Sequence, residues 1–282
     1  MYAITGITGK VGAVVARQLL TAGLPVRAVL RAAAKGPVWV AQGCELVLAA
    51  MDDEAALTRA FTGAQAVFVL LPPTFDPAPG FTETQRFVAA LRGALQAARP
   101  QRVVCISTVG AQAEPENLLT QLAMLEQGLG TLALPITFLR PAWFMENVAW
   151  DVAGARSSGQ IASHLQPLDR AIPMVATDDV GRTAAALLQE TWQGRRVVEL
   201  EGPQRVSPNG MARGLSEVLG REVHAQAVPR STWEAQFRSQ GMQHPQPRMR
   251  MLDGFNEGWI AFEGQPRQGS VGLQTVLRQL AG

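Results

Sequence analysis

The sequence predicts an α/β fold, a doubly wound parallel sheet with a smaller C-terminal α/β lobe. Three observations carry that expectation. The chain opens with a short apolar strand that runs into a glycine-rich turn and then an amphipathic helix. Strand-like and helix-like runs then alternate through the first two-thirds of the 282 residues, the pattern of repeated βαβ units. The strands are nearly all apolar, as strands covered on both faces are, and right-handed crossovers wind such a chain around its sheet.

Tyr2-Ala3-Ile4-Thr5 is the first strand, and the helix after the turn covers residues 11–22. Further strand runs fall at 25–30, 44–48, 66–71, 102–106 and 136–139, with helical patterns near 54–61, 81–98 and 117–129 between them. After Leu139 the regularity loosens. Arg140-Pro141-Ala142-Trp143 reads as a strand end and turn, followed by a helix to about Arg156. Thr177-Asp178-Asp179-Val180 starts a further helix to Trp192, with Asp or Thr as its cap. Residues 196–200 form a late strand that returns to the sheet. Beyond Pro208 come helices near 209–219, 231–240 and 247–257, with a short strand at 223–225. The expected division is a dinucleotide-binding domain of residues 1–142, with 174–202 returning to it, and a small substrate lobe of 143–173 and 203–282.

Hydrophobic residues make up 47% of the chain, enough for a sizeable core. The net charge of +2 is too small to imply nucleic-acid binding. Of 25 basic residues only Lys10 and Lys35 are lysine, one in the glycine turn and the other just after the second strand, both beside the expected cofactor corner. No apolar stretch is long enough to span a bilayer, and the chain opens on a strand without a basic leader, so the expected location is the cytoplasm. Cys44 and Cys105 sit in apolar runs, as inert core cysteines do in a reducing compartment. His164, His224 and His244 lack metal-ligand spacing, and no metal is expected.

The turn itself reads Gly6-Ile7-Thr8-Gly9-Lys10-Val11-Gly12. Gly6 permits the tight turn, Gly9 admits a pyrophosphate close to the backbone, and Gly12 lets the helix pack near the strand. Thr8, Lys10 and Val11 complete a corner whose amides and helix dipole favour phosphate. A dinucleotide cofactor follows. NAD-selective sites end the second strand with a carboxylate for the ribose 2′-hydroxyl; here that strand ends in Arg31, with Lys35 four residues on and no acid in the turn. An arginine fork suits a 2′-phosphate, which predicts NADP(H) over NAD(H). Leu71, Pro72 and Pro73 end the fourth strand and shape the rim that the nicotinamide ribose crosses.

These pieces, with others downstream, resemble the NmrA-like branch of the short-chain dehydrogenase/reductase superfamily. The match includes residues 5–12, 26–31, 52–57, 60–64 and 67–73, and Ser107-Thr108-Val109-Gly110. Its most specific piece, Leu139-Arg140-Pro141-Ala142-Trp143-Phe144-Met145-Glu146-Asn147, is similar to the family's Leu-Arg-Pro-x-x-Phe-Met-Glu-Asn signature. Residues 176–181 and 200–203 also fit. The resemblance implies an extended Rossmann fold with NADP(H) across the strand ends. It covers quinone reductases, azo or flavin-type reductases and non-enzymatic sensors of NADP redox state alike. Two departures stand out. An acid that family members place after the third strand to contact adenine is Ala50 here, leaving Asp52 or Asp53 as substitutes. A His or Lys in the helix before Glu126 is Leu122.

The single tyrosine, Tyr2, lies in the first strand and has no lysine four residues on. The tyrosine–lysine mechanism of the superfamily is therefore not expected, which disfavours alcohol dehydrogenase, epimerase and dehydratase chemistry. Ser107, at the end of the fifth strand, either bonds the substrate oxygen or the local backbone. A quinone-like small molecule needs less, because it accepts hydride directly and the protein supplies orientation and a dry pocket. Phe75, Trp143 and Phe144 are the candidate aromatic walls, with Phe144 equally suited to packing the lobe. Asn147 either donates to cofactor or substrate or caps local backbone, and Glu146 reads as structural, paired with an arginine. The rival to a reductase is a redox sensor acting through a regulatory protein partner. Residues 243–251 are the candidate partner surface or pocket lid. A homodimer through exposed helices is compatible with the fold, though no face is singled out.

Overall fold

The structure is a computed structural model that describes residues 1–281. Apolar runs become the first strands, Tyr2–Ile4 (β1), Val26–Leu30 (β2), Glu45–Leu48 (β3), Ala66–Val69 (β4), Arg102–Ile106 (β5) and Ile136–Pro141 (β6). Trp143–Phe144 (β7), Gln160–Ser163 (β8) and Met174–Val175 (β9) follow outside the main sheet, and Arg195–Glu201 (β10) rejoins it. His224–Ala227 (β11) pairs with β8, and Arg267–Gln268 (β12) extends the main sheet past β10. The main sheet has eight strands in the order β12-β10-β6-β5-β4-β1-β2-β3, every neighbour parallel. The chain winds outward in both directions from β1 and β4, which makes their carboxyl ends the switch point where such sheets bind ligands.

Helices cover both faces. Lys10–Thr21 (α1) buries Val11, Val15, Ala16 and Leu19 against one face. Pro37–Val40 (α2) is a single turn beside β3. Glu54–Phe61 (α3), Thr82–Ala98 (α4) and Thr120–Leu129 (α5) pack Leu57, Phe61, Leu91 and Leu125 against the other. Val152–Ser158 (α6) belongs to the lobe, and Thr177–Leu187 (α7) returns to the first face beside α1. Pro208–Leu219 (α8), Trp233–Ser239 (α9), Gln246–Glu257 (α10) and Leu273–Ala281 (α11) complete the chain. The lobe has its own apolar core, where Trp233, Phe237, Leu215 and Leu277 are fully enclosed. Truncating one of the large enclosed side chains, such as Phe138, would cost about 3–5 kcal/mol.

Two local expectations are corrected. The helix expected after Trp143 is divided into β7, a 3-10 stretch Met145–Trp150 and α6. Trp143 and Phe144 pair with Met174 and Val175 instead, a long-range contact that overrides helical propensity. The helix expected to reach Trp192 stops at Leu187. Its cap comes from neither Thr177 nor Asp178: Ala176 holds the cap position, and Glu146 accepts from the Thr177 amide at 2.8 Å and hydroxyl at 2.5 Å. Glu146 is thus paired with a helix N-terminus rather than with an arginine, a placement the helix dipole favours. Asp178 and Asp179 pair with Arg182.

Candidate active site

The glycine turn sits at the carboxyl end of β1. Gly6 adopts φ +62°, the left-handed region that favours glycine. A Cβ on Gly12 would lie 2.3 Å from the Gly6 carbonyl oxygen, so this approach of helix to turn excludes any side chain. Buried Thr5 locks the corner to the neighbouring strand: its hydroxyl donates to the Phe68 carbonyl at 3.1 Å and accepts from the Leu70 amide at 2.9 Å. The amides of Lys10, Val11 and Gly12 find no protein acceptor among the described residues. These free donors at the start of α1 fit a pyrophosphate. Thr8, Gly9 and Lys10 are exposed, as are Arg31 and Lys35 beyond the end of β2. Asp53 caps α3 by accepting from the Ala56 amide at 2.9 Å, which leaves Asp52 the freer of the two acids near Ala50.

Beside this corner, a cavity of about 370 Å³ opens between the carboxyl ends of β4, β5 and β6 and the lobe. Leu71, Pro72, Phe75, Ser107, Trp143, Phe144 and Asn147 all line it, and so does Leu122. Trp143 stands edge-on to Phe255, with ring centroids 5.1 Å apart. Phe144 both lines the cavity and packs against the central core. Phe75 and Trp150, 50% and 65% exposed, meet edge to face at 6.3 Å. The Asn147 side chain makes no hydrogen bond among the described residues, so it does not cap local backbone. Two loops are tied across this region. The Asp76 carboxylate accepts from the amides of Gln243 and His244, both at 2.7 Å. Arg248 and Met251, from the 243–251 stretch, line the cavity.

The Ser107 hydroxyl does not bond the local backbone. It donates to Glu126 at 2.5 Å. Arg140 grips the same carboxylate with two parallel bonds, from Nε at 2.8 Å and Nη2 at 2.7 Å, and reaches Gln112 and Glu263 with Nη1. Burial works against the Arg140 charge, but Glu126 and Glu263 outweigh it and hold its pKa above the ordinary arginine value. Burial, then the Glu126 charge, push the Cys105 thiol up, which makes it inert. With its proton committed to Glu126, Ser107 offers the cavity its oxygen lone pairs.

Sequence reasoning missed three cavity residues. Asp151 is pushed up to about 6 by burial. His164 is held below its usual value by burial, against a 3.2 Å contact with Gln236, and further by the charge of Arg248. Arg248 itself is lowered by burial. Arg248 lies in the stretch already singled out as a lid. Nothing local marked Asp151 or His164, which reach the cavity only through the lobe's long-range packing.

A free phosphate corner at the switch point of a parallel sheet, with an apolar cavity beside it, defines a nicotinamide-dinucleotide-binding protein. The chain belongs to the NAD(P)H-binding family, whose model matches residues 6–191. It is 33% identical over 226 residues, 79% of this chain and 75% of the relative, to the (4-alkanoyl-5-oxo-2,5-dihydrofuran-3-yl)methyl phosphate reductase of Streptomyces griseus. It is 26% identical to the NAD(P)H azoreductase of Xenophilus azovorans over 91% of this chain and 85% of that one. The crystal structure of an NADPH-dependent quinone oxidoreductase from Escherichia coli, complexed with NADPH, superposes with a TM-score of 0.81, 23% identity and 99% of each chain covered. These relatives are named as reductases or an oxidoreductase, two of them NAD(P)H- or NADPH-dependent, and the protein belongs to this NAD(P)H-dependent reductase family. The extended Rossmann architecture of the Escherichia coli enzyme is also the architecture found here. Among the described residues no helix is long and apolar enough to cross a membrane.

Proposed function

We propose that the protein is an NADPH-dependent reductase that passes hydride directly to a quinone-like electrophile, without a tyrosine–lysine pair. The observation that carries this reading is the aromatic-walled cavity set against the free phosphate corner. The bound cofactor supplies two electrons as hydride; everything else falls to this chain. Gly6 to Gly12 receive the pyrophosphate. Arg31 and Lys35 receive the 2′-phosphate, which is the basis for NADPH over NADH. Leu71 and Pro72 form the rim beneath the nicotinamide. Trp143 and Phe75 orient a flat acceptor, and Asn147 donates to one of its oxygens. Ser107 is the candidate contact to the reacting oxygen, accepting the bond of a hydroxyl as it forms. Solvent protonates the reduced product, because Tyr2 is buried in β1 and no other tyrosine exists.

The names of the relatives support an electron-poor acceptor, since an acyl dihydrofuranone, an azo compound and a quinone share conjugated π-systems. The sensor reading loses support from the 243–251 stretch, whose Arg248 and Met251 face a cavity suited to a small molecule. The test loads the protein with stoichiometric NADPH and follows nicotinamide oxidation with a panel of quinones. Saturable oxidation above a protein-free control is expected, with Trp143→Ala raising KM about tenfold. Tight NADPH binding without oxidation of any quinone would overturn the reading.

A further inference from the structure

Among the described residues, one cation in the cavity lining has no carboxylate partner. Arg248 enters that lining from α10, with the guanidinium 4.5 Å above the Phe237 ring. Its one polar contact among the described residues runs from Nη1 to the Met242 sulfur at 3.7 Å, a weak acceptor at long range. Its neighbours differ. Arg230 binds Asp253 at 2.6 and 2.9 Å, and Arg250 reaches the same carboxylate at 3.5 Å. The only carboxylate in the cavity lining, Asp151, forms no ion pair with Arg248 among the described residues. The other basic group there, His164, lies between Trp233 and Phe237, with centroids at 5.4 and 5.2 Å.

An unpaired guanidinium facing an apolar cavity is costly unless something completes it. Its planar fork matches the two oxygens of a carboxylate, sulfonate or phosphate. We propose that Arg248 is a specificity residue that binds an anionic group on the substrate, so that the preferred acceptors are flat, apolar molecules carrying one acidic substituent. The proposal rests on the reductase reading for the word substrate, but the anion site stands or falls on its own. Carboxylate, sulfonate and phosphate share this chemistry. A cofactor phosphate is the other source of an anion, and the phosphate corner at α1 already receives it.

The experiment compares 1,4-naphthoquinone with its 2-sulfonate on the NADPH-loaded protein, in wild type, Arg248→Gln and Arg248→Lys. Each quinone is referred to its own wild-type value, which cancels intrinsic reactivity. Arg248→Gln is expected to raise KM for the sulfonate by roughly tenfold to a hundredfold. The neutral quinone should change less than about threefold, and NADPH affinity should not move. Arg248→Lys should recover part of the loss. Equal changes for both quinones, or none for the sulfonate, would overturn the proposal.

A second measurement needs no turnover: equilibrium binding of 2-naphthoate and of neutral 2-naphthol, followed by tryptophan fluorescence. Naphthoate binding that Arg248→Gln abolishes, with neither quinone reduced, would keep the anion site and discard the reductase reading. Quinone reduction without charge discrimination in either measurement would do the reverse. Should Arg248→Gln fold poorly, Arg248→Met keeps the stem over Phe237 and removes only the charge.

Discussion

Asp151 shows how a cavity residue can cost the fold something. Its carboxyl lies in the lining with no ion pair among the described residues, and burial raises it to about 6. The folded value exceeds the unfolded one, so folding favours the neutral acid. The Asp151 contribution to stability is therefore most favourable below the ordinary carboxylate range and declines as pH rises through the window from that range to about 6. Asp151→Asn preserves the shape and removes the charge. It is expected to stabilise the protein by roughly 2 kcal/mol at about pH 8 and to do nothing at about pH 3. Urea unfolding at both pH values checks this, and an equal effect at both would show that the cause is packing. Arg31 makes a prediction of a different kind. Arg31→Glu should weaken NADPH binding roughly tenfold or more while NADH changes little; equal losses in a titration would remove the selectivity argument. The glycine turn at the end of β1 and the place of Arg31 just beyond β2 were legible in the sequence because a βα turn fixes its neighbourhood within a few positions. Glu126 was given no site role, and Arg248 only as part of a candidate lid, because their places depend on partners distant along the chain, as the bond between Ser107 and Glu126 illustrates.

Among the elements, the meeting of α1 with the first turn is the least tolerant. Gly12→Ala would place a methyl carbon 2.3 Å from the Gly6 carbonyl oxygen, against backbone that cannot yield. The expected result is a loss of about 2–3 kcal/mol of stability together with loss of NADPH binding. Calorimetry with and without cofactor measures both, and an unchanged Kd would contradict the role given to this corner. Elements were read well where burial dictates composition. The fully buried strands Ala66–Val69 and Arg102–Ile106 were visible as apolar runs, and β5 was bounded to the residue. Elements set by pairing were not. Trp143–Phe144 is a two-residue strand because Met174–Val175 lies beside it, and no local pattern announces such a partner.

At the scale of the whole molecule, the sheet and the lobe meet around the cavity and are clasped at its side. Asp76, on the loop after β4, receives two amides from the loop before α10. Asp76→Ala removes both acceptors without touching the cavity lining. KM for the acceptor is expected to rise roughly three- to tenfold, with thermal stability lowered by only a few degrees. Steady-state kinetics beside a melting curve separates the two, and a fall in stability with unchanged KM would make the clasp purely structural. The parallel, doubly wound character of the sheet was legible from the alternation of elements; the order of its strands was not read from the sequence. Nor was the clasp, because it joins residues 167 positions apart.

Glu146 ties the cavity wall to α7, and α7 lies so close on α1 that a Cβ on Gly181 would fall 2.5 Å from Val14. The stretch that carries Asn147 and Trp150 is thereby fastened to α1, the helix proposed to receive the cofactor phosphates. That arrangement divides the molecule by evolvability. Variation at positions 145–150 is expected to reach the proposed cofactor corner along with the pocket, whereas positions 248 and 252 on α10 line the same cavity without a hydrogen bond to that linkage. New acceptor preferences are therefore cheapest to reach from α10, and a library built there should retain NADPH binding in most of its members.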